Sequence, residues 1–81
     1  MKARVFVSLK KSVLDPQGKT IHRSLQNLGY ENVKDVRQGK VFEIDLNNAL
    51  SPVDARHEIE QMAQSVLANP IIEQYTYEIE G

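Results

Sequence analysis

The amino-acid sequence predicts an α+β fold in which two helices lie on one face of an antiparallel β-sheet. Three observations support this prediction. Stretches near both ends of the chain alternate apolar and polar residues, and two stretches that begin with proline carry apolar residues at helical spacing. The order of the stretches is strand, helix, strand, strand, helix, strand, which is typical of two-layer folds with both helices on the same side of the sheet. We expect one domain spanning residues 1–81.

The first strand and the first helix have the clearest patterns. Residues 3–9 alternate with the period of a half-buried strand, except that Phe6 lies on the polar face. Asp15 is placed to cap a helix that Pro16 begins, because its carboxylate can accept hydrogen bonds from free backbone N–H groups. The apolar residues over 16–28 recur at i, i+4 and i+7, and the glycine that follows predicts the end of this helix.

The middle of the chain predicts a β-hairpin. A short strand is expected over 33–37 and a longer one over 40–46, with Gln38-Gly39 as the tight turn between them.

A second helix and a last strand complete the predicted order. The helix opens at Ser51-Pro52 and ends near Ala68, because Pro70 disfavours helical angles at the residue before it. The alternation over 71–79 then predicts a strand. The whole order is the ferredoxin-like βαββαβ arrangement, a two-layer sandwich.

The uncovered face of such a sheet carries Phe6 together with aromatic or β-branched residues of the later strands. An apolar face of this kind is a poor surface to leave in water, and an 81-residue chain without cysteine has no disulfide to stabilise it. We therefore expect a dimer that forms through the sheet or its edges.

Gly18 is an unusual residue for the first turn of a helix. Glycine costs about 1 kcal/mol relative to alanine inside a helix. Its presence predicts that another part of the molecule packs close to the backbone at this position.

Composition argues against several classes of function. The formal charge of −1 is unlike that of a nucleic-acid-binding domain, and no apolar run is long enough to cross a membrane. The sequence contains no cysteine, and its two histidines, His22 and His57, lack the spacing of a metal site. It also lacks a nucleophile elbow and a glycine-rich phosphate loop. We expect a cytoplasmic protein with no catalytic, cofactor or metal site of its own.

Three segments together resemble the PurS family, the small subunit of phosphoribosylformylglycinamidine synthase. They are Val13–Gly18 with the helix that follows, Val36–Lys40, and Leu67–Tyr75. Each segment alone is a weak motif, since Asp15-Pro16 is mostly a helix cap. Their order and spacing cover nearly the whole chain, which makes the combination specific.

This resemblance implies a non-catalytic role in an ATP-dependent glutamine amidotransferase of de novo purine biosynthesis. In the family, a large subunit activates formylglycinamide ribonucleotide with ATP and Mg, and a glutaminase subunit releases ammonia. A dimer of the small subunit bridges the two and supports ammonia transfer. The sequence leaves open whether dimers pair into a tetramer. No cofactor is implied for this chain itself.

The resemblance also implies candidate residues for partner contact, each with a simpler structural alternative. Asp15 and its neighbours can be only a helix cap, Arg37 and Lys40 only a solvated turn, and Asn69 only a helix stop, while Glu73 can fix a loop or contact a second chain. An anion can also dock at the helix start, unless the Asp15 carboxylate already occupies those N–H groups. The candidates are Asp15, Gln17, Gly18, Arg37, Lys40, Asn69, Glu73 and Tyr75.

Two other functions are compatible with the same fold. A ligand-sensing module of the ACT type has the same element order and dimerises through its sheet, and calorimetry against amino acids would reveal it. A hydrolase resembling acylphosphatase needs a basic phosphate-binding loop after the first strand, for which the Asp15-Pro16 capping sequence is a poor substitute.

Overall fold

A computed structural model of the chain, which describes residues 1–80, contains three strands and two helices. Strand β1 lies in the centre of the sheet and pairs antiparallel with β2 on one side and with β3 on the other. The elements are β1 (Lys2–Leu9), α1 (Pro16–Asn27), β2 (Gly39–Asp45), α2 (Pro52–Met62) with a π-helical turn (Ala63–Leu67), and β3 (Glu73–Glu80).

Both helices begin where the capping sequences predict. The Asp15 carboxylate accepts a hydrogen bond from the Gly18 N–H at 2.9 Å, and the Ser51 hydroxyl accepts one from the Asp54 N–H at 3.1 Å. Proline occupies the first turn of each helix. The first helix ends just before Gly29, whose φ of 98° suits glycine better than any other residue.

The predicted strand over 33–37, and with it the predicted hairpin, is wrong. Residues 33–38 are not in a strand, and β2 pairs with β1 instead, with Gly39 opposite Ser8. Two backbone groups of this segment are engaged by α1 and its cap: the Val33 carbonyl contacts the His22 ring, and the Gln38 N–H donates to Asp15. These groups are therefore unavailable for a strand ladder. We call residues 30–38 the return segment.

The hydrophobic core lies between the sheet and α2. Val5 and Val7 of β1 and Ile59 of α2 are almost fully buried, and Ala3, Ala63 and Ala68 complete the buried cluster. Tyr75, Tyr77 and Ile79 of β3 pack against this cluster. The predicted α+β class, with an antiparallel sheet and two helices, is confirmed.

Helix α1 contributes no residue to this core. Its apolar residues Ile21 and Leu28 are 40% and 75% exposed.

The chain is also elongated, with a radius of gyration of 16.1 Å and extents of 51 × 25 × 14 Å. A compact domain of this length has a radius of gyration of about 12 Å. We call α1 together with the preceding turn and the return segment, residues 10–38, the helical arm, and the remainder the sheet body.

The sheet face away from α2, which we call the open face, is partly apolar as predicted. Phe6 is 38% exposed and pairs with Val41 on one side and with Thr76 on the other. Further along β1, Arg4 lies within 4 Å of carboxylates on both neighbouring strands, Glu43, Glu78 and Glu80. The open face therefore combines an apolar row with a charged one.

Candidate functional site

The three segments that resemble one family meet at one end of the sheet, where the helical arm joins the sheet body. The Asp15 cap lies at the base of α1, the end of the return segment passes over it, and the turn before β3 lies alongside, with the Lys10 N–H donating to the Ile72 carbonyl at 2.8 Å. Positions far apart in the sequence thus form one structure, which we call the junction.

Asp15 is the centre of the junction. One carboxylate oxygen accepts from the Gly18 N–H at 2.9 Å, and the other accepts from the Gln38 N–H at 2.7 Å. The side chain is buried, although it carries a charge. The N–H donors of Gln38 and Gly18, together with the nearby positive charge of Arg37, hold the pKa of Asp15 below its ordinary value. Since the carboxylate occupies the helix start, an external anion has no place there.

Gly18 is required because the return segment crosses α1 at this point. A Cβ atom at position 18 would lie 2.2 Å from the Val36 carbonyl oxygen, far inside van der Waals contact. The sequence predicted a close approach here without identifying the neighbour, and the structure confirms the approach. Only a residue without a side chain allows the Val36 backbone to lie directly on the helix.

Arg37 holds the turn that connects β1 to α1. Its guanidinium donates to the Lys10 carbonyl at 2.8 Å and to the Val13 carbonyl at 2.9 Å. A guanidinium suits this position because its planar set of N–H groups can satisfy two carbonyls at once. Arg37 therefore ties the return segment to residues 10–13.

Glu73 and Asn69 fix the start of β3. One oxygen of the Glu73 carboxylate accepts from the Asn69 N–H at 2.7 Å, and the other lies 3.7 Å from the Lys40 ammonium. The Asn69 side chain accepts in turn from the Ile71 N–H at 3.1 Å. Of the two roles considered for Glu73, fixing a loop is the one that this geometry shows. The pair with Lys40 also links β3 to β2 across the end of β1.

Gln17 is different from the other junction residues. It is exposed, and its side chain makes no hydrogen bond within residues 1–80. It lines a groove of about 280 Å³ together with Gln38, Lys40 and Glu73. Gln17 therefore presents a free amide at the rim of this polar groove.

Tyr75 lies apart from the groove. It is half-buried on the sheet face that α2 covers, and its hydroxyl is 3.3 Å from the Gln64 side-chain nitrogen. Seven of the eight candidate residues thus lie in the junction, and Tyr75 belongs to the packing of the sheet body. Whether any of the eight contacts a partner stays a prediction.

The sequence did not predict two contacts of the junction. The Gln38 N–H completes the Asp15 hydrogen-bond pair, and the Val36 carbonyl explains Gly18. Val36 was assigned to a short strand and Gln38 to a tight turn, because β-branched residues precede a Gln-Gly pair. This local pattern does not distinguish a strand from an extended segment that lies on a helix.

Metal binding and membrane insertion have no support in the described part of the chain. Residues 1–80 contain no cluster of three or more histidine, aspartate or glutamate side chains able to hold a metal ion. None of the described helices has both the length and the hydropathy that a membrane span needs.

Comparisons with known proteins give one consistent family. Residues 2–81 match the family model of PurS, described as phosphoribosylformylglycinamidine (FGAM) synthase. The chain is 42% identical over 79 residues to the phosphoribosylformylglycinamidine synthase subunit PurS of Bacillus subtilis, covering 98% of this chain and 92% of that protein.

Solved structures agree in fold. The chain superimposes on PurS of Methanocaldococcus jannaschii, a subunit of formylglycinamide ribonucleotide amidotransferase of the purine biosynthetic pathway, with a TM-score of 0.85 at 40% identity, covering 98% of this chain and 94% of that one. It also superimposes on a chain of PurLQS from Thermotoga maritima, with a TM-score of 0.85 at 28% identity, covering 95% and 93% of the two chains.

Proposed function

The chain belongs to the PurS family of FGAM synthase subunits, and on that premise we propose that it bridges the ATP-using synthetase subunit and the glutaminase subunit. FGAM synthase is an ATP-dependent glutamine amidotransferase of purine biosynthesis, and this chain is one of its subunits. Membership in this family sets aside the ligand-sensing and acyl-phosphate hydrolase alternatives.

One observation carries the proposal of a bridging role. The polar groups of the junction are engaged in holding the chain's own backbone: both oxygens of Asp15, the guanidinium of Arg37 and the carboxylate of Glu73. Groups that are engaged in this way fix the shape of a surface instead of reacting with a substrate. The family-like residues therefore build a rigid end of the molecule, which suits a subunit that positions two others.

The complex converts formylglycinamide ribonucleotide, glutamine, ATP and one water molecule into formylglycinamidine ribonucleotide, glutamate, ADP and phosphate. We assign ATP and Mg to the synthetase subunit and glutamine hydrolysis to the glutaminase subunit. A bridging subunit supports ammonia transfer by holding the two sites in a fixed arrangement, which limits escape of ammonia into water. We place the complex in the cytoplasm.

The groove of the junction is the surface we assign to partner contact. Gln17 presents a free amide there, and Lys40 lies on the same groove with its side chain about half exposed. An amide and a cation at the rim of a depression can recognise a carbonyl-rich or acidic loop of a partner. Asp15 and Gly18 contribute by holding the base of α1 in place, not by touching the partner.

We assign a homodimer to the chain, with pairing of dimers into a tetramer as a further level of assembly. The exposed Phe6 and Val41 of the open face and the exposed apolar residues of α1 support self-association, because patches of this kind are rare on stable monomers.

Reconstitution of the three-subunit enzyme tests the proposed role. The purified chain is mixed with the synthetase and glutaminase subunits, and formylglycinamidine ribonucleotide is measured with glutamine as the nitrogen source. We expect synthesis only when all three subunits are present, and co-elution of the three in the presence of glutamine and nucleotide.

Ammonium chloride in place of glutamine provides the control. If the synthetase subunit alone used ammonia well, while glutamine supported synthesis only with all three subunits, the chain would act in coupling the two sites. Equal glutamine-dependent rates with and without the chain would contradict the proposal.

A further inference from the structure

Helix α1 carries two cations, Lys19 and Arg23, on the side opposite to its apolar residues. The apolar residues recur at i, i+4 and i+7 and form one stripe: Ile21, Leu25 and Leu28. Lys19 and Arg23, followed by Gln26, have the same spacing two positions earlier, and all three are exposed. Two positions correspond to about 200° around an α-helix. Lys19 and Arg23, which we call the basic row, therefore stay accessible when the apolar stripe is covered.

The basic row borders a cavity between α1 and the return segment. The cavity has a volume of about 300 Å³ and is lined by Lys19, His22, Arg23, Gln26 and Asp35. The half-buried His22 ring contacts the Val33 carbonyl at 2.7 Å and so joins the helix to the return segment. The Asp35 carboxylate accepts from the Val36 N–H at 2.9 Å. The basic row is therefore held on a helix whose position relative to the return segment is fixed.

The cations of the helical arm have no carboxylate partner in the described part of the chain. Every ion pair within residues 1–80 involves a cation of the sheet body: Lys2, Arg4 or Lys40. The arm contains six lysines and arginines against three acidic residues. Lys19 and Arg23 lie one helical turn apart, so that their like charges repel each other. The basic row therefore does not stabilise the fold of the single chain, and its charges are available to another molecule.

The spacing and charge of the basic row fit an acidic segment of a protein. Four residues of an α-helix rise about 6 Å, which is also the spacing of two carboxylates one turn apart on a facing helix. The Arg23 guanidinium can bind a carboxylate through two parallel hydrogen bonds, and the Gln26 amide is a further donor beside it. The sheet body, with four basic against eight acidic residues, would repel a nucleic acid. The chemistry of the row therefore favours a protein partner.

The basic row is also separate from the groove of the junction. Gln17, which lines that groove, precedes Lys19 by two positions and therefore lies on the opposite side of α1. A single flat partner surface cannot cover both sides of a helix. A subunit that bridges two others needs two separate contact surfaces, and the groove and the basic row meet that requirement.

We infer that the basic row binds an acidic segment on one of the two other subunits of FGAM synthase, while the groove contacts the other subunit. Lys19 and Arg23 pair with aspartate or glutamate carboxylates that lie one turn apart on the partner. Gln26 lies beside them as a hydrogen-bond donor. This inference rests on the proposed bridging role and adds the chemistry by which one partner is recognised.

Two matched double variants test the basic row. The row variant, Lys19→Glu with Arg23→Glu, reverses both charges of the row. The control variant, Lys11→Glu with Lys34→Glu, changes the net charge equally at exposed positions of the arm outside the cavity. The fluorescently labelled chain is titrated with the synthetase and glutaminase subunits in the presence of glutamine and nucleotide. We expect the dissociation constant to rise at least about 10-fold for the row variant and less than about 3-fold for the control variant.

Salt dependence provides a second measurement. Raising sodium chloride from about 0.05 to about 0.3 M should weaken binding of the natural chain and affect the row variant much less, because salt screens charge pairs. Equal dissociation constants for the two double variants overturn the contact at the basic row and leave the bridging role intact. Failure of the natural chain to bind the other subunits overturns both.

The fold and the self-association of the variants are measured on the chain alone. Circular dichroism verifies that α1 is retained. If the reversed charges disturb the helix, Lys19→Gln with Arg23→Gln takes their place, and we expect this change to weaken binding at least about 3-fold. Sedimentation velocity should give the same self-association for the row and control variants. A loss of self-association confined to the row variant would show that the basic row contacts a second copy, and would overturn its assignment to another subunit.

Discussion

The sheet body and the helical arm are stabilised by different means. The sheet body buries apolar side chains between its strands and α2, with Val5, Val7 and Ile59 almost fully inaccessible to water. The helical arm buries one charged side chain and one glycine, Asp15 and Gly18. It is held by hydrogen bonds that Asp15 accepts, that Arg37 donates and that join the His22 ring to a backbone carbonyl. The difference shows that one chain can contain a region with its own hydrophobic core and a second region whose position is fixed by polar contacts while its apolar side chains stay exposed.

The largest expected effect comes from replacing isoleucine by alanine, which should change the free energy of unfolding differently in the two regions. Ile59→Ala removes a fully buried side chain from the core and is expected to lower the free energy of unfolding by about 3 kcal/mol, because a cavity remains. Ile21→Ala, in the arm, is expected to change it by less than about 1 kcal/mol at protein concentrations where the chain is monomeric. Urea denaturation monitored by circular dichroism gives both values. Equal losses would show that the arm is part of the core.

Gly18→Ala tests the close contact at the base of the arm. The new methyl group would overlap the Val36 carbonyl oxygen, so that the return segment or the helix must shift. We expect a loss of about 2 kcal/mol in the free energy of unfolding. Gln17→Ala, at the exposed neighbouring position, provides the control and is expected to change it by less than about 0.5 kcal/mol. Similar denaturation midpoints for the two variants would contradict this account of Gly18.

Arg37→Gln tests the polar attachment of the arm. The shorter amide cannot reach both the Lys10 and the Val13 carbonyls, and we expect a loss of about 1 kcal/mol. Lys34→Gln removes the same charge from the same segment and is the matched control. Amide hydrogen exchange sharpens the result, because it should accelerate in residues 10–13 for the Arg37 variant alone. Uniform acceleration over the whole chain would indicate a global effect instead.

The smallest expected effect is the contribution of Asp15 to the change of stability with pH in the acid range. Backbone donors lower the pKa of Asp15 in the folded state, so the charged carboxylate favours folding above its unfolded-state pKa of about 4. This contribution is lost as pH falls through the lower, folded-state pKa. Asp15→Asn should therefore be less stable than the natural chain near neutrality, and its stability should fall less steeply below about pH 4.

Asp45→Asn, at the end of β2, is the control for that titration. It neutralises a carboxylate outside the junction, and we expect the natural acid dependence to persist in it. Thermal denaturation at a series of pH values gives the slopes. If Asp15→Asn retained the natural slope, the Asp15 carboxylate would not be the group responsible.

The sheet body and the helical arm also differ in how well the local sequence predicts their structure. Both helix starts, the alternation of β1 and β3 and the close approach at Gly18 were predicted correctly, because capping, periodicity and the cost of a helical glycine act within a few residues. The return segment was predicted as a strand, since the β-branched residues Val33 and Val36 precede the turn signal Gln38-Gly39. Its actual partners, His22, Asp15 and Gly18, lie more than ten residues away in the sequence.

The sequence by itself determined the fold class, the helix boundaries and, through three spaced segments, the family. Only the tertiary structure decided that these segments meet in one junction, that Asp15 accepts from Gln38 as well as from Gly18, and that α1 stays outside the core. The physical reason is the range of the interactions. Caps and periodic patterns are local properties of the chain, whereas a buried carboxylate or an uncovered helix depends on which distant backbone groups the fold brings beside it.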